Sequence, residues 1–124
     1  MMNAINWFEI PVQDIDRAQR FYERLLGTTL RRETMGPQTL AVFPYEGDSA
    51  AGGCLISGPT VARASADGTL VYLAVTPNLD SALARLEAAG GRLATPKVTL
   101  PGDMGVFAHI VDSEGNRVGL HAMA

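Results

Sequence analysis

The chain carries one plan twice. Residues 7–27, WFEIPVQDIDRAQRFYERLLG, and 70–91, LVYLAVTPNLDSALARLEAAGG, each pass from a short alternating apolar segment through a turn into an amphipathic helix and a glycine stop. Asp16 recurs as Asp80, Ala18 as Ala82, Glu23 as Glu87 and Gly27 as Gly91, each 64 positions later. Val12 recurs as Val75 after 63, because Thr76-Pro77 adds one residue before the second helix. A unit this small cannot bury its own apolar face, so the two copies must cover each other.

The alternation predicts a strand over residues 4–12, with Trp7, Glu9 and Pro11 on one side and Phe8, Ile10 and Val12 on the other. Asp14 is placed to cap a helix over 15–26, whose Ile15, Ala18, Phe21, Tyr22, Leu25 and Leu26 recur at helical spacing. Gly27 suits the position that ends it. Strands are expected over 28–34, 39–45 and 51–57, with a turn at 45–50 and a bulge or close backbone approach at Gly52-Gly53. The polar, small-residue stretch 58–68 reads as a linker.

The second half repeats the order. A strand over 70–75 presents Val71, Leu73 and Val75 to one side and Leu70, Tyr72 and Ala74 to the other. Asn78 caps a helix over 79–89, and strands are expected over 92–96, 98–100, 106–111 and 117–123, with 112–116, DSEGN, as a turn. The expectation is one α+β domain over residues 1–124. Two tandem βαβββ modules, about 4–58 and 69–123, would form a curved, partly open mixed sheet around a concave cavity, with helices outside.

Composition bears on partners. Apolar residues make up 47% of the chain, enough for a core. The net charge of −3, a single lysine (Lys97) and one adjacent basic pair (Arg31-Arg32) argue against nucleic acid, and that pair reads as a solvated strand surface. One cysteine, Cys54, permits no intrachain disulfide and no Cys-rich zinc site. With no signal-like start and no apolar run near the ~20 residues of a membrane helix, a soluble cytoplasmic protein is expected, with no membrane partner.

Three segments, FEIPVQDIDRAQRFYERLLG, YLAVTPNLDSALARLEAAGG and the terminal VDSEGNRVGLH, together resemble the vicinal oxygen chelate superfamily. That family includes glyoxalase I, bleomycin- and fosfomycin-resistance proteins, extradiol dioxygenases and methylmalonyl-CoA epimerase. The resemblance covers nearly the whole chain and implies the paired-module fold. It says less about reaction, because one scaffold hosts many chemistries. The family's shared chemistry uses a divalent ion held by His, Glu or Gln, one from the first and one from the last strand of each module. On this chain those slots fall on Trp7, Leu70, Gly119 and, within a residue, Cys54. Trp, Leu and Gly offer no side-chain ligand, so no metal and no other cofactor is expected.

Two residues along each strand from those slots lie Glu9, Tyr72 and His121, which the period of two places in the same cavity, walled by Trp7 and Met123. His109 joins if its strand presents Phe107 and His109 inward. The candidate ligand-binding set is therefore Trp7, Glu9, Tyr72, His109, His121 and Met123, with Glu9 and His121 as the acid/base pair if there is catalysis. The plainer alternative is that Glu9 and His121 satisfy each other or the backbone. Trp7 is either a stacking wall or a plug in the space of a missing ion, and Cys54 is a small buried apolar residue. Three readings stand. The first is a small-molecule binding module, like the family's antibiotic-sequestering members. The second is a divergent lyase- or isomerase-type enzyme using Glu9 and His121, or a metal relocated to Glu9, His121 and His109. The third is a non-catalytic scaffold or regulatory partner. The resemblance also implies a homodimer.

Overall fold

The computed structural model describes residues 4–47 and 51–124, so positions 48–50 of the expected turn at 45–50 lie outside the described residues. The elements run β1 (Trp7–Pro11), α1 (Ile15–Leu26), β2 (Arg31–Met35), β3 (Gln38–Val42), β4 (Gly52–Ser57), β5 (Tyr72–Ala74), α2 (Leu79–Ala89), β6 (Arg92–Thr99), β7 (Val106–Val111) and β8 (Arg117–Ala122). This is the twofold βαβββ order that the repeat demands.

Both helices start and stop where their caps put them. The Asp14 side chain accepts from the Arg17 amide at 3.0 Å, and Gly27 closes α1 at φ 65°, where its amide donates to the Glu23 carbonyl. Asn78 accepts from the Ser81 amide at 2.8 Å to open α2, and Gly90, at φ 110°, ends it. β6 departs from expectation. The two short strands around Pro96 are one strand, with register shifts between Leu93 and Thr95 and between Thr95 and Val98. β6 is an edge strand that pairs only with β7, so a proline without an amide proton is tolerated there.

The strands form two open, four-stranded mixed sheets, ordered β1-β4-β3-β2 and β5-β8-β7-β6. In each, the module's first and last strands run parallel and the other pairs antiparallel. Each helix covers one face of its own sheet, and the two helices pack on each other. One core therefore runs through both modules: Ile10, Phe21, Tyr22, Leu25 and Leu55 join Leu73, Leu79, Leu86, Ile110 and Leu120. A smaller cluster of Leu40, Val42, Cys54 and Ile56 sits on the other face of the first sheet, and Val61 of the linker packs over it. β2 is exposed along its length, and its arginines pair locally, Arg31 with Glu33 and Arg32 with Asp16. Among the described residues no helix is long and apolar enough to cross a membrane.

The turn at 112–116 ties the modules together. Asp112 is buried and accepts from the Tyr22 hydroxyl at 2.5 Å and from the amides of Glu114 and Asn116 at 2.8 and 2.9 Å. The Glu114 carboxylate accepts from the amides of Gln13 and Asp14 and from Arg17, whose Nε lies at 2.6 Å. Asn116 donates to the Pro11 carbonyl at 2.7 Å. Burial works to raise the Glu114 carboxyl, but the hydrogen bonds from Arg17, Asp14 and Ser113 outweigh it, and the net shift is downward.

Two outcomes follow. Tyr22→Phe leaves the buried Asp112 short of a donor and should cost about 1–3 kcal/mol, seen as a lower urea midpoint. An unchanged midpoint would contradict the clamp. A depressed folded pKa means that the Glu114 contribution is present above the unfolded value of about 4.3 and is lost as pH falls below it. Glu114→Gln should therefore flatten the acid limb of a stability–pH curve, while a limb of wild-type steepness would assign the acid sensitivity elsewhere.

Candidate functional site

The open face of the second sheet carries a connected polar cluster. Register sets Tyr72 beside Gly119, Ala74 beside His121, and Phe107 beside His121, with His109 beside Gly119 and Thr95. Residues in register share a face, so Tyr72, Phe107, His109 and His121 come together on one side. The Tyr72 hydroxyl lies 2.7 Å from His109 Nε2. The Arg117 guanidinium donates to Thr95 Oγ1 at 2.8 Å and lies 3.2 Å from His109 Nδ1. Burial first, and then the Arg117 charge, hold the His109 imidazole below its usual value of 6.5. The rings brace one another, with Tyr72 edge-on to Phe107 at 5.7 Å and Phe107 tilted on His109 at 5.3 Å.

Gly119 is the position that allows this. A Cβ there would meet the Tyr72 ring at 2.3 Å, so the ring occupies the space a side chain would need. The same arrangement recurs in the first sheet, where a Cβ on Gly52 would meet the Trp7 ring at 2.9 Å and one on Gly53 the Phe8 ring at 2.2 Å. Gly52-Gly53 thus marks a close approach of aromatic rings.

Beside this cluster is a hollow of about 350 Å³, lined by Tyr72, Ala74, Leu100, Phe107 and His121. Its walls are mostly apolar. His121 Nε2 is engaged by the Met104 carbonyl at 2.6 Å.

Trp7 and Glu9 lie elsewhere. They line a separate hollow of about 460 Å³ with Pro11, Arg63, Asp67 and Arg117, between β1, the linker and the start of β8. The single cavity expected to hold Glu9, Tyr72 and His121 is thus divided: Glu9 and His121 line different hollows, and Tyr72 lines both the one with His121 and a further one of about 660 Å³ shared with Phe8, Gly52 and Gly53 of the first sheet. Among the described residues Glu9 and His121 share no hydrogen bond, and each has a different setting: Glu9 is exposed, and His121 is bonded to backbone. Met123 stands past the end of β8, 68% exposed, and lines neither hollow. Cys54 is fully buried, and burial pushes its thiol up to about 11. Among the described residues no three His, Cys, Asp or Glu side chains gather into a group that could hold an ion, so Glu9, His109 and His121 form no such set.

Arg117 is the residue that reading the sequence missed. It lines the hollow that holds Glu9 and bonds to His109 of the polar cluster beside the other. A signal for it existed: it precedes Gly119 and His121 in the same period of two.

Comparison with known proteins agrees with this architecture. The sequence profile of the Glyoxalase/Bleomycin resistance protein/Dioxygenase superfamily matches residues 4–120. Glyoxalase I from Zea mays superposes with a TM-score of 0.69 at 23% identity, over 94% of this chain and 45% of that one. The chain thus spans about half the length of the maize enzyme. UcmS2 superposes with a TM-score of 0.68 at 25% identity, over 98% of both chains. The fosfomycin resistance protein FosX from Listeria monocytogenes gives a TM-score of 0.65 at 13% identity, over 98% of this chain and 94% of that one. No curated protein matches in sequence.

The His109 environment is open to direct measurement. Its NMR titration midpoint should lie below the ordinary imidazole value of about 6.5, and Arg117→Met should move it upward by removing the neighbouring charge. A midpoint at or above the ordinary value in the wild-type chain would contradict the cluster.

Proposed function

The chain belongs to the Glyoxalase/Bleomycin resistance protein/Dioxygenase superfamily, and we propose that it acts there as a metal-independent module that binds a small organic molecule. One observation carries the reading. The four positions where the family's ligands would stand hold side chains that do not suit an ion. Trp7 lies over Gly52, and Leu70 has no donor atom. Cys54 is buried with a thiol that resists ionisation, whereas metal ligation uses the thiolate. Gly119 is covered by the Tyr72 ring.

The hollow between Tyr72, Phe107 and His121 has the character of a small-ligand site, with apolar walls and a few placed polar groups. Glu9 and His121, the pair an acid/base enzyme of this type would need, are on different sheets, which favours binding over proton transfer. The proposed assembly is a homodimer in the cytoplasm. Its support is the apolar surface left outside the core: Trp7 is 40% exposed, Tyr72 48%, Ile5 51% and Met104 55%.

Elemental analysis of the purified protein should show no stoichiometric divalent ion, and thermal shift against a panel of small neutral and acidic organic compounds should give the same stabilisation with and without chelator. One ion per chain, or binding abolished by chelator and restored by metal, would refute the metal-independent reading. Sedimentation at micromolar concentration should give twice the chain mass of 13.2 kDa; a single-chain mass would refute the dimer.

A further inference from the structure

The hydrogen-bond donors around His109 leave it one arrangement. The Arg117 guanidinium has donors and no acceptor. Lying 3.2 Å from His109 Nδ1, it requires that nitrogen to accept. A neutral imidazole has one donor and one acceptor nitrogen, so the ring proton is on Nε2. Nε2 lies 2.7 Å from the Tyr72 hydroxyl oxygen, which must then accept from it. The tyrosine's own proton has no partner in that bond and is left for a further acceptor. The held-down basicity of His109 is in keeping with a neutral ring.

We propose that Arg117, His109 and Tyr72 form a directed hydrogen-bond relay that makes the Tyr72 hydroxyl the hydrogen-bond donor to a bound ligand. Its ligand is a neutral, largely apolar compound bearing a carbonyl-type oxygen. The inference rests on the binding reading above and deepens it. Tyr72 touches the ligand; His109 and Arg117 are positioning residues that act through it. The hollow sets the ligand class. Phe107, Leu100 and Ala74 supply apolar wall within about 350 Å³, and His121 Nε2 already serves the Met104 carbonyl. No lysine or arginine lines this hollow, since Arg117 is committed to Thr95 and His109. An anionic ligand would therefore lie unpaired against an apolar wall, whereas a carbonyl oxygen needs one donor and finds it.

Two measurements on the full chain test this. Nitrogen-15 NMR of the imidazoles reads the tautomer without any ligand. His109 should carry its proton on Nε2 in the wild-type chain, and Arg117→Met should give a mixture of tautomers. Binding is then compared for acetophenone and α-methylstyrene, which share a shape and differ in the carbonyl oxygen. The wild-type chain should bind acetophenone about three- to tenfold more tightly, and Tyr72→Phe should erase that preference while keeping affinity for α-methylstyrene. A proton on Nδ1 of His109 overturns the relay. A preference that is absent in wild type, or survives in Tyr72→Phe, overturns Tyr72 as donor yet leaves the hollow a binding site, because both probes still bind. Failure of both probes to bind overturns the donor assignment together with the binding reading of this hollow.

Discussion

The buried Asp112 carboxylate is the interaction on which the two-module arrangement depends. A carboxylate out of water must be fully hydrogen-bonded, and this one receives the Tyr22 hydroxyl, two amides of its own turn and the Asn116 side chain. Three of those donors shape the turn, and the fourth comes from the middle of α1 in the other module. The same five-residue turn then sends Glu114 to the amides that open α1, where a helix N-terminus favours negative charge. It also sends Asn116 to the end of β1. One turn thus fixes both ends of the β1–α1 connection. The shared core supplies most of the burial, and these directional bonds set how the modules meet.

That arrangement decides which sheet faces stay open. Each helix covers one face of its sheet and packs on the other helix, so the opposite faces stay open. The linker does not span the gap idly: Val61 lies over Leu40, Val42, Cys54 and Ile56 and closes part of the first sheet's open face. On the second sheet that face is met instead by the loop after β6, whose Leu100 lines the hollow and whose Met104 carbonyl holds His121. The asymmetry between two modules of one plan comes from the linker and from which residues occupy equivalent strand positions.

Local features were legible in the sequence because they are set by neighbours in the chain. The caps at Asp14 and Asn78, the stops at Gly27 and Gly90, and the faces of both helices follow from spacing and side-chain chemistry. Period-two alternation put Tyr72 and His121 on one face and left His109 conditional on how its strand turns, and the register sets His109 and Phe107 on that face. It could not say which sheet opposes which. That depends on contacts about a hundred residues apart, such as Asn116 to Pro11. Grouping Glu9 with His121 treated two sheets as one continuous wall. Arg117 escaped notice for a related reason: an exposed arginine after a turn has the look of a solvated charge until its partners, Thr95 and His109, are known.

The bare strand at Gly119 and the Tyr72–His109 bond are one structural fact. The Tyr72 ring can lie across β8 only where the strand has no side chain, since a Cβ at Gly119 would stand 2.3 Å from it. With the ring in that place, its hydroxyl reaches His109 at 2.7 Å. A carboxylate or imidazole at position 119 would push the ring off the strand and break that bond. The chain can hold a side-chain ligand at this slot or the Tyr72–His109 bond in its present geometry, and it has the second. A side chain at position 119 and the Tyr72 ring across β8 are therefore exclusive alternatives on the same strand pair.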